Sequence, residues 1–165
     1  MIKIEILESE GLFKLREVED YKFIIGEYAT YNNYYQIMIQ HKGIELKIGL
    51  QCINVGIKPQ VEIYNDKLLI GAGDKFYVYE FQGTLIQEYS VFAFYEFIIK
   101  EHKILIISEL DVFLLDSNFN KIWYKSFNEI IDLEEMQDNT IVLRDYENRI
   151  IKLDFATGSD MKNSL

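Results

Sequence analysis

The chain has 165 residues, one cysteine and a net charge of −10. This excludes an intrachain disulfide and leaves no clustered Lys/Arg footprint of the kind that phosphate binding needs, so nucleic acid is not an expected partner. A chain of this length makes one domain, or at most two very small ones, and buries roughly 70% of its extended surface, enough for a core without metal staples.

The 12 Tyr and 11 Phe, abundant Ile and single Pro favour strands, because β-branched and aromatic side chains suit a pleated, half-buried surface. The opening MIKIEIL is too short and too charged for a signal peptide. No stretch reaches the roughly 18 apolar residues of a membrane span. A cytoplasmic protein with no membrane contact is the expectation.

Ile2, Ile4 and Ile6 alternate with Lys3 and Glu5, the period of two that marks a strand with one buried face. Residues 12–17 form a second strand candidate and 22–28 (KFIIGEY) a third. Residues 29–35 (ATYNNYY) read as a long connection with Asn32 and Asn33 at its tip. Strands follow at 36–40 and 44–48, joined by a turn at His41, Lys42 and Gly43. Pro59 limits the segment around it to an edge, a bulge or a strand start. Cys52, within an apolar run, reads as a small core residue.

From Asn65-Asp66 onward the chain repeats. Residues 67–72 (KLLIGA), 76–81 (FYVYEF), 84–90 (TLIQEYS) and 91–99 (VFAFYEFII) are four strands separated by short turns. After Glu101-His102 the pattern restarts: KILIIS matches KLLIGA, DVFLLD matches KFYVYE, and KIWYKS matches LIQEYS, at an offset of about 36 residues. TIVLRD after Asp138-Asn139 begins a third copy, and KFIIGEY after Asp20 an earlier, longer one. A period of this size with four short strands per copy marks propeller blades. The last copy holds only two strands before a polar tail at 159–165, so the strands at 2–7 and 12–17 are expected to complete it and close a ring within a single repeat-built domain, 1–158.

Residues 126–138 fall at a fourth-strand position but carry a capping box, Ser126 with Glu129; strand or irregular extended structure is favoured over helix.

The repeats resemble the β-propeller family. A strand ending at Asp116, a polar turn and then Ile122-Trp123 is similar to the pyrroloquinoline-quinone-type repeat. Trp123 is followed by Tyr124, so the dipeptide of WD-type blades is absent, and the turn Gly missing from DSNFN stands at Gly83 and Gly158 in neighbouring copies. The fold class expected is all-β: about four short four-stranded antiparallel blades, with a β-sandwich as the alternative.

No catalytic set stands out. Asp116 to Asn120 starts like a calcium loop, yet Lys121 and Phe127 occupy the positions where that loop needs Gly and Glu. Gly71-Ala72-Gly73-Asp74 leads into a strand rather than a helix, so it reads as a hairpin turn and not a phosphate cradle. His41 and His102 sit at turns without metal-ligand spacing. Neither enzyme activity, a metal nor a cofactor is expected.

Two faces are candidates for binding. Turns before successive first strands carry Asp20, Asp66, Glu101 and Asp138, with Glu134 and Glu135 near; a closed ring would gather these carboxylates on one face. Turns also favour such residues simply for solvation and local hydrogen bonds. The alternative face would carry Tyr31, Tyr34 and Tyr35 with Asp74, Asp111 and Asp145, since tyrosines make large, rigid anchors. The reading is a non-catalytic module binding a basic protein partner. By charge and size it is similar in character to immunity proteins of bacterial toxin systems, whose acidic faces attract basic targets. A small-ligand or carbohydrate-binding domain is the alternative, and a hydrolase with paired carboxylates a more distant one.

Overall fold

The computed structural model describes residues 2–9, 21–26 and 32–161. Every regular element among them is a β-strand. The strands form four separate sheets, and the chain divides into two compact units, residues 1–90 and 91–165, each with its own sheets.

The first unit begins with β1 (Lys3–Ser9), β2 (Phe23–Ile25), β3 (Asn32–His41) and β4 (Ile44–Ile53), ordered β1-β3-β4-β2 across the sheet. Its second sheet takes β5 (Gln60–Tyr64), β6 (Lys67–Ala72), β7 (Lys75–Tyr79) and β8 (Leu85–Ser90) in chain order. The second unit holds β9 (Phe94–Lys100), β10 (Lys103–Ser108), β11 (Asp111–Leu115) and β12 (Lys121–Ser126), then a three-stranded sheet of β13 (Ile131–Gln137), β14 (Thr140–Asp145) and β15 (Ile150–Asp154).

Short apolar runs become the inner strands. Leu68, Leu69 and Ile70 of β6, and Ile104 to Ile107 of β10, are fully buried on both faces, as a continuous apolar run without alternation requires. In the first unit Ile37, Ile39, Ile48, Leu50, Leu68 and Ile70 share one core. In the second, Leu105, Ile107, Leu114, Leu143, Leu153 and Phe155 do so.

The hairpins follow from turn chemistry. Asn65 and Asp66 have φ of 50° and 55°, and Glu101 and His102 of 50° and 60°. Two successive positive φ values make the primed turn whose twist matches the flanking strands, and Asn and Asp tolerate it best. Gly73 (φ +59°) starts the β6–β7 turn. It is a hairpin turn, as its flanking strands imply.

Longer turns repeat a second device. Asp116 donates its amide to the Asn120 carbonyl and accepts from Phe119. Glu80 does the same with Thr84 and Gly83, and Asp145 with Arg149 and Asn148. The Asp116 carboxylate also accepts amides from Asn118 and Asn120 at 2.9 and 2.8 Å. Its oxygens are therefore spent on the turn, which accounts for the calcium-like start of the loop.

Among the described residues, each unit contains an aromatic docked on a turn glycine. Trp123, on the fourth strand of its sheet, donates its indole Nε1–H to the Phe155 carbonyl at 3.0 Å. A Cβ on Gly158 would lie 2.6 Å from that indole. In the first unit Phe23, also at the fourth position, lies 2.7 Å from where a Cβ of Gly83 would stand and stacks on Tyr79 at 5.5 Å. The same arrangement thus recurs between a fourth strand and the next sheet's outer turn.

Several sequence expectations change. Residues 32–35 are not connection but the start of the ten-residue β3. There Tyr35, Ile37 and Ile39 keep one buried face going, and Asn33 registers with Cys52 and Tyr35 with Leu50. The N-terminal strand does not complete the last blade: β1 pairs with β3, setting Ile4 against Ile39 and Ile6 against Ile37. Its alternating isoleucines are satisfied at that core, so the sheets are not closed. The second strand expected at 12–17 lies outside the described residues. The first sheet is also not wholly antiparallel, because β2 runs parallel to β4.

The repeat is real, but its phase shifts by one strand. The expected fourth strand, VFAFYEFII, pairs as β9 with β10 of the following sheet, Ile99 opposite Ile104 and Phe97 opposite Ile106. Residues 126–138 contain strand, as favoured, yet β13 pairs forward with β14 rather than back. At the C-terminal side Asp160 bridges Leu153, and Met161 donates its amide to Lys152, so residues 159–161 extend along β15.

Candidate functional site

Hairpin tips carry the first set of candidate carboxylates. Asp66 is exposed at the β5–β6 turn, 2.6 Å from Lys42 Nζ and 3.7 Å from His41 Nε2. The Lys42 hydrogen bond and charge hold its carboxyl below the usual aspartate range. In the second unit Lys100, beside Glu101, donates to the Asp138 carbonyl. The β9–β10 and β13–β14 tips, which carry Glu101 and Asp138, are therefore linked through Lys100.

Glu134 pairs with Arg144, which lowers its own pKa and raises that of the arginine. Glu135 accepts from the Gln137 amide. In each unit these carboxylates have nearby cations, Lys42 in the first and Lys100 and Arg144 in the second. Asp20 lies outside the described residues.

The alternative face divides. Tyr31 lies outside the described residues, and Tyr34 is half-buried. Tyr35 is only 3% exposed and belongs to the core; burial raises its hydroxyl, which accepts from Asn33 at 3.2 Å. It is not a surface anchor, because the strand alternation turns it inward. Asp145 is buried and closes its turn on the Arg149 amide (2.9 Å) and guanidinium (2.6 Å). Burial alone would raise that carboxyl, and the Arg149 bonds reverse the effect. Asp111 is reached by the Tyr124 hydroxyl at 2.5 Å, a bond that raises the tyrosine.

The same end of the second unit holds residues that the sequence reading missed. Ile131 donates its amide to Glu109, Phe127 to Leu110, and Tyr146 to Ile130. These bonds gather the β10–β11 turn, the 127–130 connection and the β14–β15 loop. Tyr146 is 80% exposed, Tyr124 52% and Ile130 38%. Tyr95 is raised by burial and then by the charges of Glu109 and Asp132. Among the described residues, no cation lies within ion-pair distance of Glu109, Asp111 or Asp132. The available signal was the alignment of DYENR with DSNFN, which puts Tyr146 at a loop tip.

The first unit contains a cavity of about 430 Å³ whose lining includes Gln51, Cys52, Asp74, Tyr77, Tyr79 and Glu88. Cys52 packs as a core residue at 8% exposure. Burial, helped by Asp74, pushes its thiol up to about 12. Such a thiol holds little thiolate at neutral pH and makes a poor nucleophile. His41 stacks on Phe81 at 5.7 Å instead of projecting from its turn. No group of three or more His, Cys, Asp or Glu among the described residues is placed to hold a metal ion. Among the described residues, no helix is long and apolar enough to cross a membrane.

No family model and no curated sequence matches the chain. Among solved structures, BamB from Moraxella catarrhalis is similar with a TM-score of 0.53 and 12% identity, over 82% of this chain and 46% of that one. The WD40 domain of Neurospora crassa Pan2 gives 0.49 and 10%, over 62% and 36%. The N-terminal domain of Nup159 gives 0.47 and 20%, over 64% and 33%. The chain spans less than half the length of each. The likeness to BamB is one of fold, and it places the repeated four-stranded sheets in propeller-type architecture.

Proposed function

We propose that this chain is a non-catalytic protein-binding module whose partner is basic. The observation that carries this reading is the loop end of the second unit. There the exposed Tyr146 and Tyr124 stand with Glu109, Asp111 and Asp132, three carboxylates without an ion-pair partner among the described residues. Exposed aromatics supply area at low conformational cost. Unpaired carboxylates around them attract a cationic surface and speed its encounter. The net charge of −10 acts in the same direction. A basic toxin neutralised inside its producing cell is the specific partner that this charge and size favour.

The test is capture of a partner from extract of the native cell, with elution followed against salt. A basic protein released as salt rises is expected. Tyr146→Ala should weaken it by roughly 30-fold, the size of an aromatic hot spot, and Asp132→Asn should reduce the salt dependence. A partner held equally by both variants would place the interface elsewhere. Growth rescue of cells expressing that partner, when this chain is co-expressed, tests the immunity role.

A further inference from the structure

The cavity of the first unit has a lining that asks for a particular chemistry. Gln51 is 91% buried on that wall, with 9% of its surface accessible. Its Nε2 donates to the Gly26 carbonyl at 2.7 Å, which fixes the other end of the amide as the acceptor. That acceptor, Oε1, is buried without a hydrogen-bond partner. A desolvated acceptor left unmade costs about 1–3 kcal/mol, so a donor arriving there is favoured.

The charges in the lining point the same way. Among the described residues of the lining Lys75 is the cation, and it is held by Glu88 at 2.6 Å and Ser90 at 3.0 Å. Glu88 is thereby balanced, whereas Asp74, at the β6–β7 turn, faces the cavity with no ion pair among the described residues. The field is felt by the neighbours: Tyr77 is raised by burial and then by Glu88 and Asp74, and Cys52 by burial and then by Asp74. Tyr77 and Tyr79, with ring centroids 6.0 Å apart, add aromatic surface to the same wall.

We propose that this cavity is a binding site for a small organic cation, an amine on an apolar body, with its ammonium between the Asp74 carboxylate and Gln51 Oε1 and its body against Tyr77 and Tyr79. Each part answers one feature of the lining. The ammonium supplies the missing donor and the counter-charge. The tyrosine rings suit both an apolar body and a nearby cation. The volume lies in the range of small-molecule sites. The site belongs to the first unit and the loops proposed for the protein partner to the second, so either assignment can fail without the other.

The experiment is calorimetric titration with 2-phenylethylamine at 150 mM salt, against 2-phenylethanol as the uncharged counterpart. Saturable one-to-one binding of the amine, and at least tenfold weaker binding of the alcohol, is expected. Asp74→Asn, which keeps the side-chain shape, should weaken the amine at least tenfold, and Gln51→Leu should do so independently. Glu101→Gln, in the other unit, removes the same charge and should leave binding unchanged. No saturable heat, equal affinity for amine and alcohol, or equal losses in Asp74→Asn and Glu101→Gln would overturn the assignment, the last because it marks general attraction to an acidic chain. Circular dichroism of each variant separates loss of binding from loss of fold.

Discussion

Replacing Gly158 by Ala tests whether the docking of Trp123 on the outer turn of the next sheet holds the second unit together. Two costs add. The backbone at Gly158 has φ of +68°, a left-handed conformation that costs a residue with a Cβ about 1–2 kcal/mol. The new Cβ would also stand 2.6 Å from both Cδ2 and Cε3 of Trp123, inside any allowed contact, so the indole must move. Overpacking of this kind costs about 1–3 kcal/mol. Displacing the indole also forfeits the Nε1–H bond to Phe155, worth about 0.5–1.5 kcal/mol. The expected loss is about 4 kcal/mol, a large share of the stability of a small domain. Trp123 is the single tryptophan, so its fluorescence follows denaturant unfolding at the site itself, with circular dichroism as a second probe. In a Trp123→Leu background the collision is gone, and Gly158→Ala should cost only the backbone term. The two changes should therefore couple by about 2 kcal/mol. A loss below about 1 kcal/mol for Gly158→Ala in the natural background, or a coupling of zero, would refute the argument.

Two further predictions concern ionisation. Because burial pushes the Cys52 thiol up to about 12, a water-soluble disulfide reagent at pH 8 should label the folded chain at least about 100-fold more slowly than the urea-unfolded chain. The raised pKa also means that its contribution to stability is full below the unfolded thiol value and is lost progressively as pH rises toward the folded one. Cys52→Ala should flatten the start of the alkaline decline, with the buried Tyr77 governing the rest; an unchanged curve would contradict this. Asp116 is the opposite case. The Asn120 amide, chief among its bonds, holds the carboxyl below the ordinary range against a smaller effect of burial. Its contribution is therefore present above the unfolded aspartate value and lost as pH falls through the lower folded one. Asp116→Ala should lower the urea midpoint at pH 7 and lower it less at about pH 2, where protonation has begun to remove the charged carboxylate's contribution; equal losses at the two pH values would sink the assignment.

Much of the local structure was legible because its causes are local. The alternation of Ile2, Ile4 and Ile6, the apolar run of KILIIS and the Asn65-Asp66 turn each depend on a few neighbouring residues. They appear in β1, β10 and the β5–β6 hairpin, except that Ile2 lies just before β1 and is exposed. The copy-to-copy match of KLLIGA with KILIIS was legible for the same reason. Tyr35 was misread because its neighbours, Asn32, Asn33 and Tyr34, look like loop residues. Its burial depends on Leu50, its partner across the sheet.

What the chain decides by sequence alone is thus an all-β architecture, the spacing of its repeats and the chemistry of its turns, since period, propensity and positive φ are properties of short segments. Which strand joins which sheet is decided only in three dimensions. Phe97 and Ile99 are chemically suited to end one blade or begin the next, and the pairing with Ile106 and Ile104 settles it. Likewise, nothing near Ile4 and Ile6 indicates that Ile39 and Ile37 are their partners. The cavity arises in the same way, because Gln51 and Asp74 meet there from different sheets. Its empty acceptor and unbalanced carboxylate exist only once folding has removed water and bound Lys75 to Glu88.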